Sequence, residues 1–400
     1  GACLSHTFGD VNDYLARQAR QVDRAKTYAG IRRIDDCAGR MAHAEPEVRR
    51  GGAWPPRALG RRPRAWRAAG EPSGPHMETG PASEPRGPLA GVTSSAAPTI
   101  RGMAAEHGSI IGSRVEIGYE RRGDPAGWPA VLLHGFPYDP RCFDEVAGLI
   151  ARDGAHVIVP YLRGYGPSRY RDPAVVRSGQ QAALAGDLRE LIEGLGLAPP
   201  IVAGFDWGGR AACVAAMLWP QLVSGLVTVG GYNVHDIAAM AATPEPPADE
   251  ARNWYQWYFH SERGRAGLTE YRHDLTRQLW HEWSPQWSYS DATFEATAAS
   301  FDNPGFVDTV VHSYRHRYGL TAGDPAYEQD EGRIAAQPPI TVPAIVIDST
   351  EDPLDAPRPR AEHARHFPNL ADYRQTATGH NVPHEDPAGF ADAIRALHCR

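Results

Sequence analysis

Lysine is almost missing from this chain: Lys26 is the only one, and every other basic side chain is an arginine. The imbalance reads as coding bias rather than chemistry. A basic excess is missing too. The net charge is −7 over 400 residues, which argues against a nucleic-acid partner. No run approaches the roughly 18 to 20 apolar residues a membrane helix requires, so no span is expected. The five cysteines, Cys3, Cys37, Cys142, Cys213 and Cys399, are scattered, odd in number and never in C-x-x-C spacing. That argues against a disulfide framework or a zinc site and fits a reducing, cytoplasmic setting. Cys213 reads as a small buried apolar residue on a core helix.

What is present is 42% hydrophobic residues, enough for one large core or two domains. The chain changes character near Met103. Residues 1–105 are rich in Arg, Gly, Pro and Ala, and only 11–26 suggest a short charged helix. Such a segment buries too little apolar surface to offset its ordering entropy, so a disordered leader is expected, translated from upstream of a start at Met103. Arg32-Arg33 and Arg61-Arg62 look like twin-arginine signals, but no apolar region follows either.

From Ser109 onward, strands and helices alternate. The patterns predict a hairpin over 110–121, strands over 129–133, 157–160, 200–204 and 226–229, and helices over 142–153, 182–196 and 208–218. This alternation implies an α/β fold with a mostly parallel sheet covered on both faces. It stops near Tyr232 and resumes with a strand over 343–348 and a helix over 387–398. The interruption holds half of the ten tryptophans. It reads as a mainly helical cap over the strand ends, where open α/β sheets bind ligands. The expected domains are core 106–231, cap 232–336 and core 337–400.

Four motifs carry chemistry. Gly204-Phe205-Asp206-Trp207-Gly208 joins a buried strand to a helix. This is a nucleophile elbow with aspartate where many hydrolases carry serine. An ordinary structural turn is the competing reading, which the flanking strand and helix disfavour. Leu132-Leu133-His134-Gly135-Phe136-Pro137 follows another strand and suits an oxyanion loop. The backbone amides of Phe136 and Trp207 are the expected donors. Asp348-Ser349-Thr350-Glu351-Asp352 delivers acids after a strand, and Thr378-Gly379-His380-Asn381 supplies a histidine. The order nucleophile, acid, histidine selects Asp206, Asp352 and His380. Asp348 would still lie in the strand, Glu351 stays open as the acid, and His384 is a rival to His380.

With these motifs in hand, the region from Ser109 resembles the soluble epoxide hydrolase branch of the α/β-hydrolases. Tyr255-Gln256-Trp257-Tyr258-Phe259 is similar to that branch's Tyr-Gln-x-Tyr-Phe segment, and Gly305-Phe306 with Tyr314-Arg315 to the segment of its second tyrosine. The resemblance nominates Tyr255 and Tyr314 as catalytic; aromatic cap packing is the competing reading. His134, Pro137, Gln256 and Trp257 are expected to contact substrate. Two departures stand out: Tyr161 where the branch usually has an acid, expected to alter only a structural contact, and Ser349 where many relatives have Gly or Ala.

The implied reaction converts an apolar epoxide and water into a vicinal diol without cofactor or metal. Asp206 forms an alkyl ester, and His380, oriented by Asp352, activates the water that hydrolyses it. A haloalkane or haloacetate dehalogenase would use the same triad. Phe136 and Trp207 stand where those enzymes tend to carry Asn and Arg, which favours the epoxide. A non-catalytic ligand-binding protein of this fold is the alternative from another class. Oligomeric state, including a homodimer, stays open.

Overall fold

The computed structural model describes residues 105–400. The leader, its suggested helix, Cys3 and Cys37 lie outside the described residues.

Among the described residues nine strands form one sheet. They are β1 (Glu106–Ile111), β2 (Val115–Arg122), β3 (Trp128–Leu133), β4 (Ala155–Pro160), β5 (Arg169–Tyr170), β6 (Ile201–Gly204), β7 (Gly225–Val229), β8 (Ala344–Ser349) and β9 (Leu370–Thr376). The order is β1-β2-β4-β3-β6-β7-β8-β9, with the short β5 beside β2. Pairing is antiparallel among β1, β2, β4 and β5. From β4 through β3 to β9 it is parallel. The parallel strands β6, β7 and β8 are buried along their whole length, as continuous apolar runs demand when helices cover both faces.

In the core, α1 (Asp144–Arg152), α2 (Gln181–Gly194) and α3 (Asp206–Leu218) connect the early strands. Between β7 and β8 the chain leaves the sheet through eight helices. These are α4 (Ile237–Ala242), α5 (Pro247–Arg252), α6 (Trp254–His260), α7 (Glu262–Glu270), α8 (Arg272–Trp283), α9 (Asp291–Ala298), α10 (Phe306–His316) and α11 (Glu328–Ile334). They make the cap. Then α12 (Arg360–His366), α13 (Val382–Glu385) and α14 (Pro387–His398) complete the core. Among the described residues no helix is long and apolar enough to cross a membrane.

The sequence pattern did not reveal β9, α12 or α13. Strand β9 lies at the sheet edge and is half-buried along most of its length, so it has no apolar run. Helix α3 starts at Asp206, two residues before the expected 208, so the nucleophile candidate is the first helical residue. The unusual Tyr161 donates its hydroxyl to Glu120 Oε1 at 2.7 Å, a buried structural contact.

Candidate active site

The elbow is a packing problem that glycine solves. Asp206 has φ of +48°, in the left-handed region that side chains other than glycine rarely occupy. A β-carbon on Gly204 would lie 2.6 Å from the Gly208 carbonyl carbon, and one on Gly208 would strike the Leu133 carbonyl. The turn can therefore close only with glycine at both places. It lifts Asp206 against the loop after β3, where a β-carbon on Gly135 would lie 2.5 Å from Asp206 Cβ. At this range the Phe136 amide donates to Asp206 Oδ1 at 2.7 Å. Trp207 is the second residue of α3, so its amide is one of the four that a helix start leaves without an intrahelical acceptor.

His380 faces the other carboxylate oxygen. Its Nε2 lies 4.0 Å from Asp206 Oδ2 and is buried without a hydrogen-bond partner. Its Nδ1 lies 2.7 Å from Asp352 Oδ2. Burial opposes a charge on this imidazole, but Asp352 first, then Asp206 and Asp355, outweigh it and raise the pKa to about 9. The loop is held from several sides. The His380 amide donates to the Trp283 carbonyl at 3.0 Å, and the Gly379 amide to Glu385 Oε2 at 2.8 Å. Ser349 donates its hydroxyl to the Gly379 carbonyl at 2.6 Å, so this departure from the branch stitches β8 to the histidine loop.

The cap closes the site with aromatic rings. Tyr314 packs against Phe136 at 5.5 Å and Trp207 at 5.9 Å between ring centres. Tyr255 packs against Tyr314 at 5.4 Å and Trp283 at 4.9 Å, and Trp283 against His380 at 5.1 Å. Burial raises the pKa of both tyrosines well above the ordinary value; Asp206 adds to the rise in each, so both phenols feel its charge.

Asp206, Phe136, Trp207, Asp352, His380, Tyr255 and Tyr314 are thus brought together, and Gln256 joins them at Tyr255, whereas His134 and His384 are held elsewhere. His134 is fully buried, its Nδ1 bonding the Gly135 carbonyl and its Nε2 accepting from the Leu162 amide. Burial lowers its pKa to about 4. Both ring nitrogens are spent on backbone, so the expected substrate contact is corrected to a loop brace. The Pro137 carbonyl accepts from Trp280 Nε1 at 2.9 Å and braces the cap. Gln256 donates to Tyr255 Oη at 3.3 Å, so it touches a site residue. Trp257 packs on His260 and Tyr318 and donates to the Glu250 carbonyl, so its polar atom is already partnered. Glu351 is exposed. His384 bonds Asn381 and stacks on Trp287, and burial lowers its pKa to about 4.

Sequence reasoning missed Trp283 as a neighbour of the histidine. It also missed Arg210, one helical turn beyond Asp206; the i, i+4 spacing was the available signal.

The model of the alpha/beta hydrolase fold matches residues 129–387, a stretch that spans the elbow, the cap and the histidine loop. The chain belongs to the α/β-hydrolase fold family. Within this family it sits on the epoxide hydrolase branch. It is similar to a candidate epoxide hydrolase of solved structure from Klebsiella pneumoniae, with 41% identity and a TM-score of 0.70, over 73% of this chain and 97% of that one. It is 30% identical to Epoxide hydrolase B of Mycobacterium tuberculosis over 176 residues, 41% of this chain. That match spans 48% of the relative, so the chain aligns with about half of it. AB hydrolase superfamily protein YfhM of Bacillus subtilis is 28% identical over 64% of this chain and 85% of that protein.

Proposed function

We propose that this α/β-hydrolase opens epoxides to vicinal diols through an ester on Asp206. One observation carries the reading. The Asp206 carboxylate has one oxygen on a backbone amide, and the other faces a histidine whose free Nε2 is 4.0 Å away. Oδ2, which has no such donor, attacks an epoxide carbon. The carbon–oxygen bond breaks, and Tyr255 and Tyr314 supply a proton to the leaving alkoxide. His380 then takes a proton from water, and the resulting hydroxide attacks the ester carbonyl carbon. The oxyanion forms on Oδ1, where the Phe136 and Trp207 amides stabilise it. Collapse releases the diol and restores the carboxylate.

The electrostatics favour this order. With pKa near 9, resting His380 is protonated beside the Asp206 carboxylate. Ester formation removes the Asp206 charge, which lowers the imidazole pKa at the moment a base is needed. The imidazolium proton balances the one gained by the alkoxide, and the water's proton restores the resting state.

A second reading, halide release by the same triad, draws on the buried indole N–H groups of Trp207 and Trp283, which have no partner among the described residues. The two tyrosines weigh towards the epoxide, because a halide needs N–H donors and no acid. The test is H380Q exposed separately to epoxides and haloalkanes, followed by mass analysis of the Asp206 peptide and assays for diol and halide. An adduct from epoxides is expected. An unmodified peptide across substrates that the wild type consumes would overturn the two-step scheme.

A further inference from the structure

Behind Tyr314 the structure holds two buried guanidinium groups with no acid to neutralise them. Arg210 is 7% exposed and Arg317 6%. Both line one small cavity of about 10 Å³, room for a single water-sized group, beside His235, His316, Gln181 and Ser313. Among the described residues no carboxylate lies within ion-pair distance of either guanidinium. The Arg210 guanidinium makes no hydrogen bond at all with a described residue, and its Nε is fully enclosed. Arg317 bonds only Ser313, at 3.1 Å to the hydroxyl and 3.4 Å to the carbonyl, and lies over the Tyr314 ring at 4.2 Å.

The other lining groups supply no formal negative charge, and Asp206 acts on Arg210 only from outside the cavity lining. Gln181 is spent on the His235 backbone, donating to its carbonyl and accepting from its amide. Burial first, then nearby cations, keep His235 well below the ordinary range and His316 at about 4, so neither adds charge at neutral pH. Burial, then repulsion from Arg317, lowers Arg210 to about 9. An unpaired buried cation is costly, and two facing one cavity cost more. An arriving anion would offset that cost: guanidinium forks match a carboxylate in bidentate geometry, and a desolvated charge-assisted pair is strong.

We infer that Arg210 and Arg317 form an anion subsite, and that the substrate is an epoxide carrying a carboxylate a few bonds from the ring. The inference rests on the proposed epoxide opening. Arg210 lies four residues after Asp206 on α3, close enough for the Asp206 charge to act on its guanidinium. Tyr314 packs on Trp207, the neighbour of Asp206, and carries Arg317 over its ring. Carboxylate binding therefore sets the ring against Asp206 and beneath the phenol. Asp206 attacks the terminal ring carbon, water cleaves the ester, and the dihydroxy acid leaves with its carboxylate unchanged.

The probes are 3,4-epoxybutanoate and its uncharged amide, 3,4-epoxybutanamide, with diol formation measured for wild type, R210Q and R317Q. Wild type is expected to favour the acid at least tenfold in kcat/KM, mostly through KM, and each variant to erase that preference. Calorimetric binding of the product 3,4-dihydroxybutanoate and of its amide to wild type tests the subsite without turnover and without a variant that has to fold. Tighter binding of the acid is expected. Equal kcat/KM or equal binding of acid and amide would overturn the subsite while leaving the hydrolase reading intact. Preferential binding of the acid without turnover of either epoxide, and without an Asp206 adduct in H380Q, would overturn the epoxide part of the inference together with the function it rests on.

Discussion

Strand β8 and the loop beyond it present two aspartate–histidine pairs four residues apart, and they differ in what each histidine has left over. Asp348 accepts from His363 Nε2 at 2.9 Å, the Arg358 amide at 2.8 Å and the Tyr373 hydroxyl at 3.2 Å. His363 is enclosed, with Gly231 pressed so close to its ring that no β-carbon would fit. This pair fastens α12 and β9 to the sheet. Asp352 holds only one nitrogen of His380, and the other points at Asp206. The chemistry of the two pairs is the same. A pair whose second nitrogen is closed off against Gly231 is a strut, and a pair whose second nitrogen faces a carboxylate can move protons.

The contrast can be broken in order of expected effect. D206N should reduce epoxide turnover by at least ~10⁴-fold in steady-state assays. It should also lower the His380 pKa from about 9, read from the imidazole shifts by NMR, because one of the carboxylates that raise it is gone. D352N should cost ~10²–10⁴-fold in kcat, since the base loses its orienting partner. D348A should instead leave kcat within a few-fold and lower unfolding free energy in urea by about 1–3 kcal/mol, because the buried His363 and two half-buried donors lose their acceptor. Y255F and Y314F should each lower the rate of alkylation by ~10²-fold in single-turnover experiments while leaving ester hydrolysis nearly untouched.

The smallest effect is on stability. The folded His380 pKa lies above the ordinary 6.5, so its pairing stabilises the fold fully below pH 6.5 and that contribution is lost as pH rises through about 9. Urea titrations of wild type across this window should show the decline, and D352N should flatten it.

The sheet and the elbow were legible in sequence because both follow from local rules. Apolar runs such as Ile345-Val346-Ile347 can only be buried strands, and glycines on either side of Asp206 are required by backbone contacts of 2.6 Å or less. Strand β9 was not legible, since Leu370-Ala371-Asp372-Tyr373-Arg374-Gln375-Thr376 mixes apolar and charged residues at an edge. In the site, neighbours in sequence were readable and neighbours across the cap were not. His134 carries the look of a ligand in its motif, yet what decides its role is the Leu162 amide, 28 residues away. Arg210 and Arg317 lie on different elements, and no linear pattern reveals that neither has a counter-ion.

The proton acceptor is tied to the lid by backbone: the cap residue Trp283 holds the amide of His380 through its carbonyl. Any excursion that swings the end of α8 outward to admit or release small molecules tugs on that tether and leaves the imidazole slack. On the proposed mechanism, hydrolysis of an Asp206 ester would therefore require the end of α8 to be in place.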